Sequence, residues 1–522
     1  MGQDAQPAAL RLPAYARVGA VGLALVSYAA AWGSLGLLVS YAAVRLARRL
    51  GPQAEAGAGP LPCDRAAFEA LEQTCRMGAA ACRRLMLDLR REMRRGLQAD
   101  GAEGGGLKMV PSHVTALPGG DEAGTFFALD LGGTNFRVVK VVLGKLKGEV
   151  LSAEGDEVAI PPEAMTGTMG GLFDFMAAAT VRAIRKRGGP ARVVLGFTFS
   201  YPCRQTALAA GTLIEWTKGF DIPDGVGQDV VALLTAALAR RGVDATVAAL
   251  VNDTVGTLAA AKYADDDAVL GVILGTGTNA AYVEKVRRIA KYAPPPGAAP
   301  ADSMVINMEW GALSSPAFPW LAADREVDAA SPNPGKQHFE KFVSGMYLGD
   351  IVRRTLIHLA EGHADAAVLR ALRGGRIQTS HVSLVDGDPH GACPKARSLL
   401  LKELEIPAEH CPEGLVRLTK AVCGLVRRRA ARMAGAAIAA VLEHVEDAVP
   451  PSTPGRGPSR RAVVAVDGGL YQHYARYRAD VEEALEDLLG EASKPVELVL
   501  TNDGSGLGAA LLAASTCRGL EE

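Results

Sequence analysis

The sequence has no CxxC pair, no HExxH, no GxxxxGK[ST] loop, no GxGxxG fingerprint and no excess of either charge. Eight cysteines in 522 residues without a paired spacing exclude a disulfide scaffold and a cysteine zinc site. The nine histidines build no metalloprotease motif, and His358 and His363 read as ordinary helix and loop residues. With 56 basic against 57 acidic side chains the net charge is -1, too little for a polyanion-binding surface, so nucleic acid is not an expected partner. Gly (59) and Pro (29) are plentiful but lack a period, which excludes collagen-like arrays. At 49% hydrophobic and 22% charged the chain reads as globular, and its length allows two to four domains at roughly 100–200 residues each.

What is present begins with an uncharged run, residues 18–44, long enough to cross a bilayer, which needs about 20 apolar residues. Arg11 and Arg17 precede it, Arg45, Arg48 and Arg49 follow, and no acid occurs between Asp4 and Glu55. A membrane anchor fits the length, the flanking arginines and Tyr28, Trp32 and Tyr41. A cleaved signal would have an apolar core of about 7–15 residues, and a transit peptide would be amphipathic and Ser-rich. Arg45, Arg48 and Arg49 place the body of the protein in the cytosol.

Residues 51–60 are a small-residue linker. From Asp64, a candidate N-cap, Phe68, Leu71, Cys75, Cys82, Leu85, Leu89 and Met93 recur at helical spacing and predict one helix. Arg90, Arg91, Arg94 and Arg95 read as its solvated C-terminal end. Breaks are expected at residues 100–106, 294–300 and 450–460. Between them strand-like runs alternate with Ala/Leu-rich helical runs, an α/β pattern. Within this body FFALDLGGTNFRVVKVVL and VLGVILGTGTNAAYV repeat one plan, an apolar run, a glycine turn ending in Thr-Asn and a second run, offset by 144 residues. AVVAVDGGLYQHY and LVLTNDGSGLGAALLAA add two more strand-to-glycine turns. A duplicated two-lobe domain with ligands in the cleft is the expectation.

Glycine turns present backbone N–H groups to anions, and Asp130 before Gly132-Gly133-Thr134 is placed to hold Mg²⁺ through water. A single such turn can equally be a hairpin device; four in one chain point to a nucleotide. A second, polar group comprises Ser200, Thr217, Lys218, Asn252, Asp253, Glu309 and Glu340. Asp253 can be an N-cap or a general base. Together these side chains would suit a polyol, whose hydroxyls both donate and accept.

LDLGGTNFRV, LGFTFSYPC, EWTKGFDIP, LVNDTVGTL, LGTGTNAAYVE, INMEWG, NPGKQHFEKFVSGMYLGDI and VAVDGGLYQHY succeed one another in the order found in hexokinases. From residue 61 onward the chain resembles that family, and DGGLYQHY, NDGSGLGAALLAAS and the basic-flanked N-terminus resemble its plant and green-algal branch. The resemblance implies the two-lobed α/β fold of actin, Hsp70 and sugar kinases, ribonuclease H-like with duplicated mixed sheets, plus an N-terminal hydrophobic helix. Its segments would be an anchor and linker (1–60), the N-terminal helix of the large lobe (61–123), the small lobe (124–250), the large lobe (251–503) and a C-terminal helix returning to the small lobe (504–522).

The implied activity is ATP- and Mg²⁺-dependent phosphorylation of a hexose at the 6-hydroxyl, the entry to glycolysis. A hexose sensor of the same descent is the alternative. Asp253 would be the base, with Ser200, Thr217, Lys218, Asn252, Asn279, Glu309 and Glu340 on the sugar. Nucleotide and Mg²⁺ would be met by Asp130, Gly132, Gly133, Thr134, Asn135 and Arg137 on one lobe. Thr276, Gly277, Thr278, Asp467, Gly468, Gly469, Gly504 and Ser505 would meet them on the other, and Thr379 would border the adenine. Two departures from the family pattern are Ile377, where many members have Phe, and Lys336, where Glu or Gln is usual. The branch implies attachment to the mitochondrial outer membrane, with a plastid as the alternative.

Overall fold

A computed structural model describes residues 63–98, 107–190, 192–216, 219–294, 300–388, 393–448, 461–490, 495–501 and 503–517. Residues 1–60 lie outside them, and with them the apolar run 18–44. The expected breaks at 100–106 and 450–460, and most of that at 294–300, also lie outside, as do Thr217 and Lys218. Among the described residues no helix is long and apolar enough to cross a membrane.

Two mixed sheets share one plan. The small-lobe sheet runs Val150–Ala159, Asn135–Leu143, Gly124–Leu131, Arg192–Phe199, Asp244–Val251. Its first three strands are antiparallel and its last two join in parallel. The large-lobe sheet runs Ser303–Asn307, Thr278–Lys285, Ala268–Leu274, Ala462–Asp467, Val496–Leu500 with the same senses. The short strand Val110–Pro111 extends its outer edge. The repeated Gly-turn-Thr-Asn segments are thus equivalent hairpins, one per sheet. Parallel strands are covered on both faces, so Arg192–Phe199 is an almost unbroken apolar run, RVVLGFTF, buried at nearly every position. Val150–Ala159 is an edge and reads VLSAEGDEVA, mostly exposed, with charges that discourage pairing with another chain.

The N-terminal apolar periodicity forms two helices, Arg65–Cys75 and Ala79–Gln98, rather than the single one expected. Asp64 caps the first, accepting from the Ala66 N–H at 2.9 Å. The break falls at Met77, held at φ +42°, whose carbonyl accepts from Arg432 Nε at 2.6 Å. A tertiary bond to the long helix Glu413–Ala448 therefore overrides the local pattern. That helix also carries Arg429, fully buried, in a two-pronged pair with Asp324 at 2.6 and 2.7 Å.

Two helices lie between the sheets, Asp253–Ala264 and Gly504–Cys517. The first follows the last small-lobe strand yet packs on the large-lobe sheet; the second follows the last large-lobe strand yet packs on the small-lobe sheet. Each lobe is completed by the other's helix. Both are rich in Gly and Ala and buried almost all round, with no polar stripe to set their orientation. Backbone contact sets it instead: a Cβ on Gly508 would lie 1.8 Å from the Gly256 carbonyl oxygen, and one on Gly256 2.6 Å from that of Ser505.

Gly508→Ala should force the two helices apart and destabilise the protein by about 1–3 kcal/mol, against the ~1 kcal/mol that Ala gains in helix propensity. Gly374→Ala, with open space around it, should be neutral or slightly stabilising. Urea denaturation of the two variants measures the difference.

Candidate active site

The polar groups converge at strand ends and at the start of the helix Asp253–Ala264. The strand Asp244–Val251 ends in Asn252, which takes the capping role: its Oδ1 accepts from the Thr254 N–H at 3.0 Å and the Thr254 hydroxyl at 2.7 Å. Asp253 is the first residue of the helix rather than its cap, and its Oδ1 accepts from the same N–H at 2.8 Å. A carboxylate there is favoured by the helix dipole.

Asn279, near the start of Thr278–Lys285, donates from Nδ2 to Asn307 Oδ1 at 2.7 Å and to Asn252 Oδ1 at 3.2 Å. Asn307, ending Ser303–Asn307, donates to Glu309 Oε1 at 2.8 Å. Asn252, Asn279, Asn307 and Glu309 therefore form one continuous amide and carboxylate network. Asn307 was not singled out in the sequence, and only the turn at Glu309 brings its side chain into the network. Glu309 itself sits at φ +54°, a left-handed conformation that turns the chain at this point. Ser200 immediately follows the strand Arg192–Phe199, at its C-terminal end.

Glu340, on the short helix His338–Val343, accepts from the Thr278 N–H at 3.0 Å. The Thr278 hydroxyl donates to the Ile273 carbonyl at 2.9 Å and accepts from Trp310 Nε1 at 3.0 Å. Both donors of Thr278 are thus bonded inside the protein, its N–H to Glu340 and its hydroxyl to Ile273. Thr276 and Gly277 form the turn proper. Gly345 N–H donates to the Gly275 carbonyl and Met346 N–H to that of Thr276, at 2.8 and 3.1 Å.

On the opposing lobe Gly132, Gly133 and Thr134 form the hairpin turn, closed by Gly132 N–H on the Asn135 carbonyl at 3.0 Å. Tyr201, another residue the sequence did not mark, donates its hydroxyl to the Gly132 carbonyl at 2.8 Å. The Asn135 side chain donates to Glu157 on the edge strand. Arg137 makes a two-pronged pair with Asp503 at 2.7 and 2.8 Å. Asp503 precedes Gly504 at φ +58°; nothing in its local sequence reveals the pairing, which depends on the C-terminal helix reaching the small lobe.

Asp467 accepts from the N–H groups of Gly468 at 2.6 Å and Gly504 at 3.0 Å. Gly468, at φ +113°, lies so close to Leu274 that a Cβ would fall 2.6 Å from its carbonyl, so only glycine brings these two turns together. Gly469 opens the next helix, Gly469–His473. Ser505 donates its hydroxyl to Asp130 Oδ2 at 3.2 Å. Thr379 is more remote in role: its hydroxyl donates to the Gly345 carbonyl at 2.6 Å and accepts from Gly349 N–H at 3.2 Å. It braces the loop that holds the 275–277 turn, and the neighbouring Ile377 is buried. Lys336 is exposed.

Burial pushes the Asp130 carboxyl up to about 6, with the Asp253 charge acting in the same direction and Arg137 against it. Burial also raises Asp467 and Asp503. Three carboxyls whose charge is opposed by burial, set beside glycine turns, suit a positively charged guest. Among the described residues no three acid, His or Cys side chains form a ready-made metal cage. The donors therefore fit a hard cation held by one carboxylate, water and the phosphates of a ligand, the usual Mg²⁺ pattern.

Hexokinase family models match residues 67–263 and 269–515. Hexokinase-2 of Oryza sativa subsp. japonica is 44% identical over 464 residues, covering 86% of this chain and 91% of that protein. Hexokinase-1 of Arabidopsis thaliana is 43% identical over 474 residues, covering 88% and 92%. The solved hexokinase of Schistosoma mansoni, complexed with glucose, superposes with a TM-score of 0.74 at 33% identity, covering 86% of this chain and 99% of that one.

The raised acidity constant of Asp130 has a definite sign. A carboxyl whose pKa is raised on folding favours the folded state below its unfolded value near 4 and loses that contribution as pH rises through about 6. Asp130→Asn should therefore raise the melting temperature at pH 8, by about 1–3 °C, with a smaller rise at pH 4.5. Thermal denaturation of the ligand-free protein at the two pH values checks it.

Proposed function

The chain belongs to the hexokinase family and catalyses the ATP-dependent phosphorylation of a hexose, and we propose that glucose, with mannose and fructose as further acceptors, is phosphorylated at its 6-hydroxyl with Asp253 as the base. The observation that carries this reading is the position of Asp253. It follows Asn252, the terminus of the amide and carboxylate network, and its charge is felt by Asp130 beside the phosphate-type turns. A proton acceptor between a polyol-binding group and a phosphate-binding group is what transfer to a hydroxyl requires.

In this reading Asn252, Asn279 and Glu309, with Glu340, Ser200, Thr217 and Lys218, orient the sugar hydroxyls. Asn307 keeps Asn279 and Glu309 in place. Because the transition state of phosphoryl transfer is loose, positioning matters more than nucleophile strength, and Asp253 takes the proton late. The backbone of the 132–134 and 275–277 turns, with Gly468, Gly469, Gly504 and Ser505, cradles the nucleotide. Arg137 is tied to Asp503 and stabilises charge from one side. Asp130 would hold Mg²⁺, through water. When bound, that ion neutralises charge on the phosphate oxygens. Exclusion of water, the rival acceptor, falls to closure of the lobes around the sugar.

Asp253→Ala should lower kcat by about 10²–10⁴-fold while glucose still binds. A coupled assay of sugar 6-phosphate together with glucose-induced tryptophan fluorescence measures both; near-normal kcat would overturn the assignment.

We also propose that residues 18–44 anchor the protein in a membrane with the catalytic body in the cytosol, at the mitochondrial outer membrane, with a plastid as the alternative. The support is the uncharged run and its flanking arginines. The full chain should stay with membranes through an alkaline carbonate wash, and release into the supernatant would refute the anchor.

A further inference from the structure

Tyr201 stands two residues beyond the strand Arg192–Phe199 and is buried. Its ring is packed among three others. The Phe199 centroid lies 5.1 Å away, that of Trp216 5.1 Å in an edge-on contact and that of Phe220 5.2 Å in another. Trp216 in turn stacks on Phe220 at 5.2 Å. These are the favoured aromatic geometries, and they leave the Tyr201 ring little freedom. A buried phenol needs a partner for its O–H, and the Gly132 carbonyl accepts from it at 2.8 Å. Burial, with the Asp130 charge acting in the same direction, raises the pKa of the phenol, so it remains a donor at neutral pH.

The peptide unit joining Gly132 to Gly133 is planar and trans, so the Gly133 N–H points opposite to the Gly132 carbonyl. Fixing that carbonyl on Tyr201 therefore aims the Gly133 N–H away from the aromatic cluster. Among the described residues nothing accepts from this N–H, whereas the Gly132 N–H is already taken by the Asn135 carbonyl at 3.0 Å. Between two glycines no Cβ restricts rotation of the peptide unit. Rotated by half a turn, it would present a carbonyl oxygen where an N–H had been, and an oxygen there would repel a phosphate. A turn that binds anions needs its N–H groups facing the ligand. The two glycines cannot select that orientation themselves; a bond from outside the turn can.

We infer that Tyr201 is a positioning residue for the nucleotide: its hydroxyl holds the Gly132–Gly133 peptide in the orientation that offers the Gly133 N–H to a phosphate oxygen, resting on the phosphate role proposed above for the 132–134 turn. The end of the strand Arg192–Phe199 then serves both substrates, Ser200 the sugar and Tyr201 the nucleotide.

Tyr201→Phe keeps the ring and its packing and removes only the hydroxyl. Steady-state phosphorylation of glucose by the full chain, with ATP and glucose varied in turn, separates the two substrates. In the variant KM for ATP should rise about 3–10-fold, the scale of one hydrogen bond, while KM for glucose stays within about twofold of wild type. Isothermal titration with a non-hydrolysable ATP analogue should show the same weakening. A merely structural bond would lower the melting temperature and leave KM for ATP as it was; that result overturns the inference. An equal rise in both constants overturns it too, since it marks a general packing role. Gly133→Pro removes the N–H itself and should raise KM for ATP at least as much. If it does so and Tyr201→Phe does not, the role of Tyr201 alone falls; if neither does, the phosphate role of the turn falls with it.

Discussion

The contact on which the rest of this molecule depends is between two backbones, where Gly508 meets the carbonyl of Gly256. It allows two helices of small residues to lie against each other without intervening side chains. Because each is also clasped by a glycine of a sheet, Gly271 under Asp253–Ala264 and Gly196 under Gly504–Cys517, the whole stack from one sheet to the other has little slack. The first turns of the two helices carry Asp253 and Ser505. Their distance from each other, and from Asp130, is therefore set by main-chain packing, the least deformable element available.

Around that stack the chemistry is arranged at some cost to stability. Asp130, Asp467 and Asp503 are held where burial opposes their charge, and only Asp503 has a directly bonded cation, Arg137. Burial of these charges opposes folding, and in the proposed function a cation and phosphates would offset that cost. Local instability at the point where charge must be handled is a familiar exchange in enzymes. Here it is confined to residues on turns, leaving the strands behind them apolar and regular.

The duplicated architecture was legible because each hairpin repeats a glycine turn and a Thr-Asn pair at a fixed offset, and such turns leave little conformational choice. The exchanged helices were less so, because helices of Ala and Gly carry no apolar stripe to show which sheet they cover. At the site, residue type was readable but division of labour was not. Thr278 reads as a phosphate-type residue in the sequence, and its bonds to Ile273, Trp310 and Glu340 appear only in the fold. Asn307 and Tyr201 work by bonding to other parts of the site, and Asp503 matters only because residue 137 is brought to it across the fold. Such pairings depend on sheet register and long-range closure, which no local window contains. The break at Met77 has the same origin, a bond from Arg432 more than three hundred residues away.

The exchange of closing helices has a consequence for synthesis on the ribosome. The last strand of the small-lobe sheet ends at Val251, but the helix that covers that sheet begins at Gly504, about 250 residues later. At roughly 5–20 residues per second, the sheet would wait ~10–50 s with an apolar face uncovered. The large lobe, by contrast, receives its borrowed helix as soon as its own strands emerge. Premature termination near the C-terminus would leave a nearly full-length chain whose first-made lobe can never close, a species that chaperones would have to hold and proteases remove.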